Sequence, residues 1–296
     1  MFRVLDVVDR LDGLQKSGGG TAAYPHPYDA AYPTGESAGR QYIWPIRIVL
    51  FVWHMLLNEF KSIVVAPFKE VFLNRRWGGM NLAITACLGI IVLHAVHLTK
   101  WGHDFVRIIG GVQASLPLPI SLLRTPISLY VPAINLPVWA GLTQLFIAFA
   151  LAQLTLGWKR TLLIAYLATL AGTMTARVMV WLGPHHVLGL PHSAAYVLDT
   201  GPSAAVVGLF SYISVVKRAP VLFSLTSLSM IVESVAVPNL AGREHLIAIG
   251  AAMVLGFVRL FRESRGIPEG ALARGVGRYC SAAFGRLRTA GGHSPA

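Results

Sequence analysis

Charge is scarce in this chain. Only 13% of its 296 residues are Asp, Glu, Lys or Arg and 54% are hydrophobic, whereas a soluble domain carries about 25% charged residues. With a mean hydropathy of +0.59, the composition excludes an ordinary soluble domain and describes a polytopic membrane protein. Cysteine is almost missing. Cys87 falls in an apolar run and Cys280 in a basic stretch, so neither a disulfide framework nor a cysteine metal motif is expected. There is no His-Glu-x-x-His, and no repeat or pair of interrupted apolar segments of the kind transporters carry. A signal-peptide core is lacking too, because Asp6, Asp9 and Arg10 interrupt the N-terminus. Acidic residues are half as common as basic ones, 13 against 25, for a net charge of +12. The basic residues lie between and after apolar runs, so membrane orientation accounts for them and no nucleic-acid partner is expected.

What is present is a series of apolar runs. Residues 1–41, with Gly18-Gly19-Gly20 and Tyr24-Pro25-His26-Pro27, predict a mobile tail. In 42–75, Ile46, Val49, Leu50, Trp53, Leu57, Phe60, Val64 and Phe68 recur at helical spacing, with Arg47, His54, Asn58, Lys61 and Lys69 opposite. That pattern predicts an amphipathic interfacial helix, with a short extra span at Ile43–Leu57 as the competing reading. Residues 76–262 hold six apolar runs near the length of about 20 residues that a crossing needs: 80–98, 136–156, 161–182, 201–216, 219–237 and 245–261. A proline-broken segment, 99–135, follows the first, and residues 263–296 form a basic tail. The predicted fold is all-α, a six-transmembrane-helix bundle.

With the N-terminus inside, 20 of the 25 Lys and Arg fall on inner segments and only Lys100, Arg107, Arg124 and Arg243 on outer ones, Arg177 lying within a span. This asymmetry predicts that both termini are cytoplasmic. It also puts Ser203, which opens the fourth run, and His245, which opens the sixth, at the same outer face. Around both the residues are small: Gly201, Ala204, Ala205 and Gly208 on one run, Ala248, Gly250 and Ala252 on the other. Small residues let helices approach closely inside a membrane.

Six spans, a long segment after the first, a glycine-preceded serine opening the fourth and a histidine opening the sixth: over residues about 80–262 this arrangement resembles the rhomboid family of intramembrane serine proteases. The stretch Gly201-Pro202-Ser203-Ala204-Ala205-Val206-Val207-Gly208-Leu209 is similar to the family's Gly-x-Ser-Gly-x-x-x-Gly-Leu. The resemblance implies a dyad in which His245 takes the proton from Ser203, and Ser203 attacks a peptide carbonyl of a single-span substrate. Gly201, Ala204 and Gln144 would stand as helpers near the oxyanion. The chain departs from the pattern at several points. Its second run lacks the family's His-x-x-x-Asn, the residue after the serine is Ala204, and Val207 stands where many active members have tyrosine. Pro202 precedes the serine, as in the catalytically silent branch of the family. The alternative is therefore a non-catalytic pseudo-rhomboid that binds transmembrane clients. No cofactor or metal is expected, the partners are the lipid bilayer and a transmembrane substrate or client, and the location implied is a bacterial plasma membrane.

Three further expectations rest on the residues themselves. Asp199, four residues before Ser203, suits an N-cap or the positive end of the helix dipole. Arg177 and Glu233 lie at matching depth in the third and fifth runs, and intramembrane charges are usually paired, so an ion pair between them is expected. His94, His97, His103, His185, His186 and His192 gather near the outer face, where they read as solvated rather than ligating. Reporter fusions after residues 75, 158 and 218 should read cytoplasmic, and fusions within 105–130 and 185–195 external. An external reading at residue 30 would instead indicate a crossing at Ile43–Leu57.

Overall fold

The computed structural model describes residues 36–73, 77–131, 137–236 and 239–266. The tail expected at 1–41 lies almost wholly outside these residues, and so does nearly all of the basic tail at 263–296. The described chain is helical, with one isolated bridge, Val112 to Asp199, and no strand. The chain divides into two compact units, residues 1–51 and 52–296.

The helices are α1 (Glu36–Phe60), which runs through a π-helical stretch (Lys61–Val65) into α2 (Ala66–Leu73), then α3 (Asn81–His97), α4 (Gly102–Gly110), α5 (Leu118–Ser128), α6 (Val138–Leu156), α7 (Trp158–Leu182), α8 (Ser203–Lys217), α9 (Pro220–Ala236) and α10 (Leu240–Ser264). Four stretches are long and apolar enough to cross a membrane: Ile46–Val71, Val138–Leu156, Trp158–Leu182 and Leu240–Ser264. They mark an integral membrane protein. Three of the six expected crossings form shorter apolar helices, α3 with 17 residues, α8 with 15 and α9 with 17.

The turns between helices have local causes. Gly157 (φ 83°) and Gly183 (φ 73°) take up left-handed angles at the ends of α6 and α7, where a side chain would be strained. Between α8 and α9 the left-handed residue is Arg218 (φ 54°), and Ala219 N–H closes onto Ser214 O at 2.8 Å. Pro220 then begins α9, where its missing N–H costs nothing.

Helix starts carry backbone N–H groups with no partner in their own helix, and among the described residues side chains satisfy those of four helices, Thr99 Oγ1 accepting from Gly102 N–H of α4 at 3.0 Å. Asn239 caps α10 through Gly242 N–H at 2.7 Å. The other two caps come from distant elements. Gln153 on α6 accepts from Leu82 and Ala83 N–H of α3 at 2.9 and 3.4 Å. Glu59 of α1 accepts from Val221 and Leu222 N–H of α9 at 2.9 and 2.8 Å, one on each carboxylate oxygen. Val71 and Leu154, near the end of α6, both flank Gly79. The end of α6 and the start of α9 belong to the same end of the bundle. Residues 59–71, about 18 Å of helix at 1.5 Å per residue, therefore run across that end rather than along the bundle.

The centre of the bundle is α8. Ten of its residues are buried, from Ala204 to Ser214, and it packs on α6, α7, α9 and α10. Its tightest contacts follow from small side chains. Ala168 of α7, Ala204 of α8 and Ala248 of α10 form one buried cluster. A Cβ placed on Gly208 would overlap that of Ala168, one on Gly256 would lie 2.8 Å from Val215 Cγ1, and one on Gly172 would lie 3.3 Å from Glu244 Cβ. Thr169 of α7 needs no partner across these contacts, because it donates to the carbonyl of Ala165 at 3.0 Å. Gly208→Ala should lower stability by about 1–3 kcal/mol through overpacking. Ala168→Gly should restore part of that loss in the double variant, read as the melting temperature of detergent-solubilised protein.

Candidate functional site

The approach to Ser203 is held by backbone bonds to the segment after α3. Asp199 N–H donates to Val112 O at 2.8 Å and Val112 N–H to Asp199 O at 3.3 Å. Gly201 N–H donates to Ser128 O at 3.0 Å, with Gly201 at φ 114°, a conformation that favours glycine. Pro202 stands before the helix without a side-chain cap, and Ser203 is the first residue of α8. The first N–H in this turn to close a helical bond is that of Val206, to Pro202 O at 2.9 Å. Those of Ser203, Ala204 and Ala205 come before it, where a helix leaves its donors unpaired.

His245 sits in the second turn of α10 with 7% of its surface exposed. Its Nδ1 is buried and makes no hydrogen bond; Glu233 Oε2 of α9, with a side chain 40% exposed, is 3.9 Å away. Ala204, beside Ser203, and Ala248, one turn after His245, meet in the cluster with Ala168, so the two candidate residues stand on adjoining turns of packed helices. Among the described residues no hydrogen bond joins them. Gln144 lies on an exposed face of α6, whereas Gly201 and Ala204 flank Ser203 in the docked turn.

Two expectations are corrected. Asp199 does not cap α8, which has no side-chain cap. Its Oδ2 accepts instead from Thr173 Oγ1 of α7 at 3.2 Å, and Glu244 of α10 packs against the neighbouring Gly172. Burial pushes the Asp199 carboxyl above its ordinary range, against the smaller opposing effect of the hydrogen bond from Thr173. Glu244 is buried, 6% exposed. Its packing against Gly172 of α7 is a product of the tertiary fold and of no local pattern.

The expected Arg177–Glu233 ion pair is also absent. Arg177 Nη2 donates to Gln113 O at 3.0 Å, to Leu116 O at 2.7 Å and to Ser121 Oγ, while Glu233 faces His245. Matching depth did not bring the two charges together: Arg177 satisfies irregular backbone of the segment between α4 and α5, where carbonyls have no helical partner.

The histidines near α3 are partly associated. The His97 and His103 ring centroids are 4.6 Å apart, and His103 Nδ1 lies 3.1 Å from Asp104 Oδ1. Among the described residues, no three His, Cys, Asp or Glu side chains are grouped to hold a metal ion. Comparison with family models, with curated proteins and with solved structures finds no match.

Arg177→Ala should cost about 2–3 kcal/mol, since hydrogen bonds from a charged donor are lost and Leu116 O loses its partner. The effect of Glu233→Ala should add to it within about 0.5 kcal/mol, as for independent sites. Melting curves of the two single variants and the double variant check both statements.

Proposed function

We propose that the chain is a rhomboid-like intramembrane serine protease of six crossings, with both termini cytoplasmic, that cleaves single-span membrane proteins through Ser203 and His245. The observation that carries this reading is the shortness of α8. At 1.5 Å per residue its 15 residues extend about 22 Å, short of a hydrocarbon core of about 30 Å. With Lys217 and Arg218 held at one membrane face, Ser203 would stand several ångströms below the other. A serine at a recessed helix start, flanked by alanines and beside a buried histidine with an unpaired Nδ1, is an economical arrangement for chemistry on a peptide bond inside the membrane.

In this mechanism His245 accepts the Ser203 proton as Oγ attacks the carbonyl carbon. A serine hydroxyl is a weak nucleophile without such a base. The tetrahedral oxyanion is received by the unpaired N–H groups of the first α8 turn. His245 then gives its proton to the leaving amine, and water releases the acyl group by the same route. Glu233, whose Oε2 lies 3.9 Å from Nδ1, favours the imidazolium by its charge.

A second reading, a pseudo-rhomboid that binds transmembrane clients without cutting them, is favoured by one observation: Ser203 and His245 share no hydrogen bond. Pro202 also lacks an N–H, and α6 supplies neither histidine nor asparagine. A serine-directed fluorophosphonate probe applied to membranes separates the two. Labelling that disappears in Ser203→Ala and in His245→Ala, and falls in Glu233→Gln, is the result expected of a protease. Pro202→Ala with Ala204→Gly should raise cleavage of a model transmembrane substrate, since a single oxyanion donor is worth about 10²–10³ in rate. Client binding without labelling in either background would assign the chain to the second reading.

A further inference from the structure

Two arginines share a cleft that the proposed Ser203 chemistry does not use. It has a volume of about 390 Å³ and is lined by Asp104, Arg107 and Ile108 of α4, Gln113 of the following connection, Arg124 of α5 and Leu198 of the loop before α8. Small-molecule sites span about 300–1,000 Å³. Arg124 Nη1 donates to Gly111 O at 3.2 Å, which holds this guanidinium against the cleft wall. Arg107 is exposed, and among the described residues neither arginine is within ion-pair distance of a carboxylate. Asp104 Oδ1 is 3.1 Å from His103 Nδ1.

The helices around the cleft are built for a membrane interface. In α4, Gly102, Val106 and Gly110 are buried. Trp101, just before the helix, forms one exposed apolar stripe with Phe105 and Ile108, because residues three or four apart share a helix face. Asp104 and Arg107 form the next stripe round. The order repeats in α5, where Ile120, Leu123 and Ile127 are exposed beside Arg124. A helix with adjoining apolar and charged stripes lies in the headgroup layer with its apolar side toward the acyl chains, and an exposed Trp belongs to the same layer.

We infer that this cleft holds the headgroup of an anionic glycerophospholipid. The two guanidinium groups take the phosphodiester, whose oxygens match the planar donor fork of arginine. Asp104 accepts from headgroup hydroxyls, and so does Gln113 Oε1, since Gln113 Nε2 is already given to Tyr196 O at 3.0 Å. Arg107, Arg124 and Asp104 together carry a single positive charge, which one phosphodiester neutralises. The apolar stripes of α4 and α5 receive the acyl chains. They are the reason to prefer a lipid over a free phosphate, which would make no contact with them.

A lipid seated here bridges α4 and α5 next to Val112, whose backbone is paired with Asp199 in the loop that enters α8. The site does not depend on peptide cleavage; it rests on the membrane setting alone.

The test uses the full chain in a nonionic detergent. Binding of short-chain phosphatidylglycerol and phosphatidylcholine is read by native mass spectrometry, and binding of inorganic phosphate by calorimetry. Phosphatidylglycerol has a net charge and hydroxyl donors, phosphatidylcholine neither, so the first should bind about tenfold more tightly. Arg107→Gln, a change at an exposed side chain, should weaken phosphatidylglycerol about tenfold and leave phosphatidylcholine unchanged. Lys100→Gln removes the same charge outside the cleft and should have no such effect. Equal affinity for the two lipids, or equal losses in Arg107→Gln and Lys100→Gln, would overturn the site. Inorganic phosphate binding as tightly as phosphatidylglycerol would make the ligand a soluble anion and overturn the lipid. Serine-probe labelling is scored separately, so a protein that binds the lipid without being labelled removes the protease reading alone.

Discussion

The fold depends on how closely α8 is allowed to approach its neighbours. Inside a bilayer, lipid tails are as apolar as leucine, so helices gain little by hiding apolar surface from lipid; close van der Waals packing has to supply the association. Here the packing is concentrated where side chains are smallest. Gly208 rests on Ala168, Gly256 receives Val215, and Gly172 receives Glu244. The first two hold α7 and α10 against α8, and the third holds α7 against α10. Everything proposed for the Ser203 turn rests on that spacing, because a wider gap would separate α8 from α10 before any polar contact was considered.

A second constraint concerns backbone donors. The starts of α3 and α9 are each closed by a side chain far away in sequence, Gln153 and Glu59. Such a cap satisfies exposed N–H groups and fixes the position of one helix relative to another in the same act. Glu59 is the more demanding case, since both carboxylate oxygens are used and a negative charge sits at the positive end of a helix dipole. Arg177 plays the complementary part at the other end of the bundle, where it gathers unpaired carbonyls. Polar side chains in this protein are thus employed mainly on main-chain groups that water cannot reach.

Together these constraints make the region around Ser203 a junction of three elements. The loop before it is pinned to Val112 and Ser128, its carboxyl at Asp199 accepts from Thr173, and the helix it opens is packed on the helix that bears His245.

Much of this architecture was legible in the amino-acid order. The membrane setting follows from low charge, and helices form on all six apolar runs because each is bounded by glycine, proline or basic residues that stop or start a helix. The small residues around Ser203 and His245 announced close packing correctly, since size is a property of the residue alone. The lengths of those helices, the course of residues 59–71 across the bundle end, and every polar partnership were decided by tertiary structure. Arg177 and Glu233 illustrate the reason. Depth along a helix is readable from sequence, but the direction in which a side chain points is set by rotation and neighbours, and here Arg177 faces a loop while Glu233 faces His245. Asp199 shows the same limit: its position before a helix suggested a cap, and only the arrival of Thr173 from α7 engaged its carboxyl elsewhere.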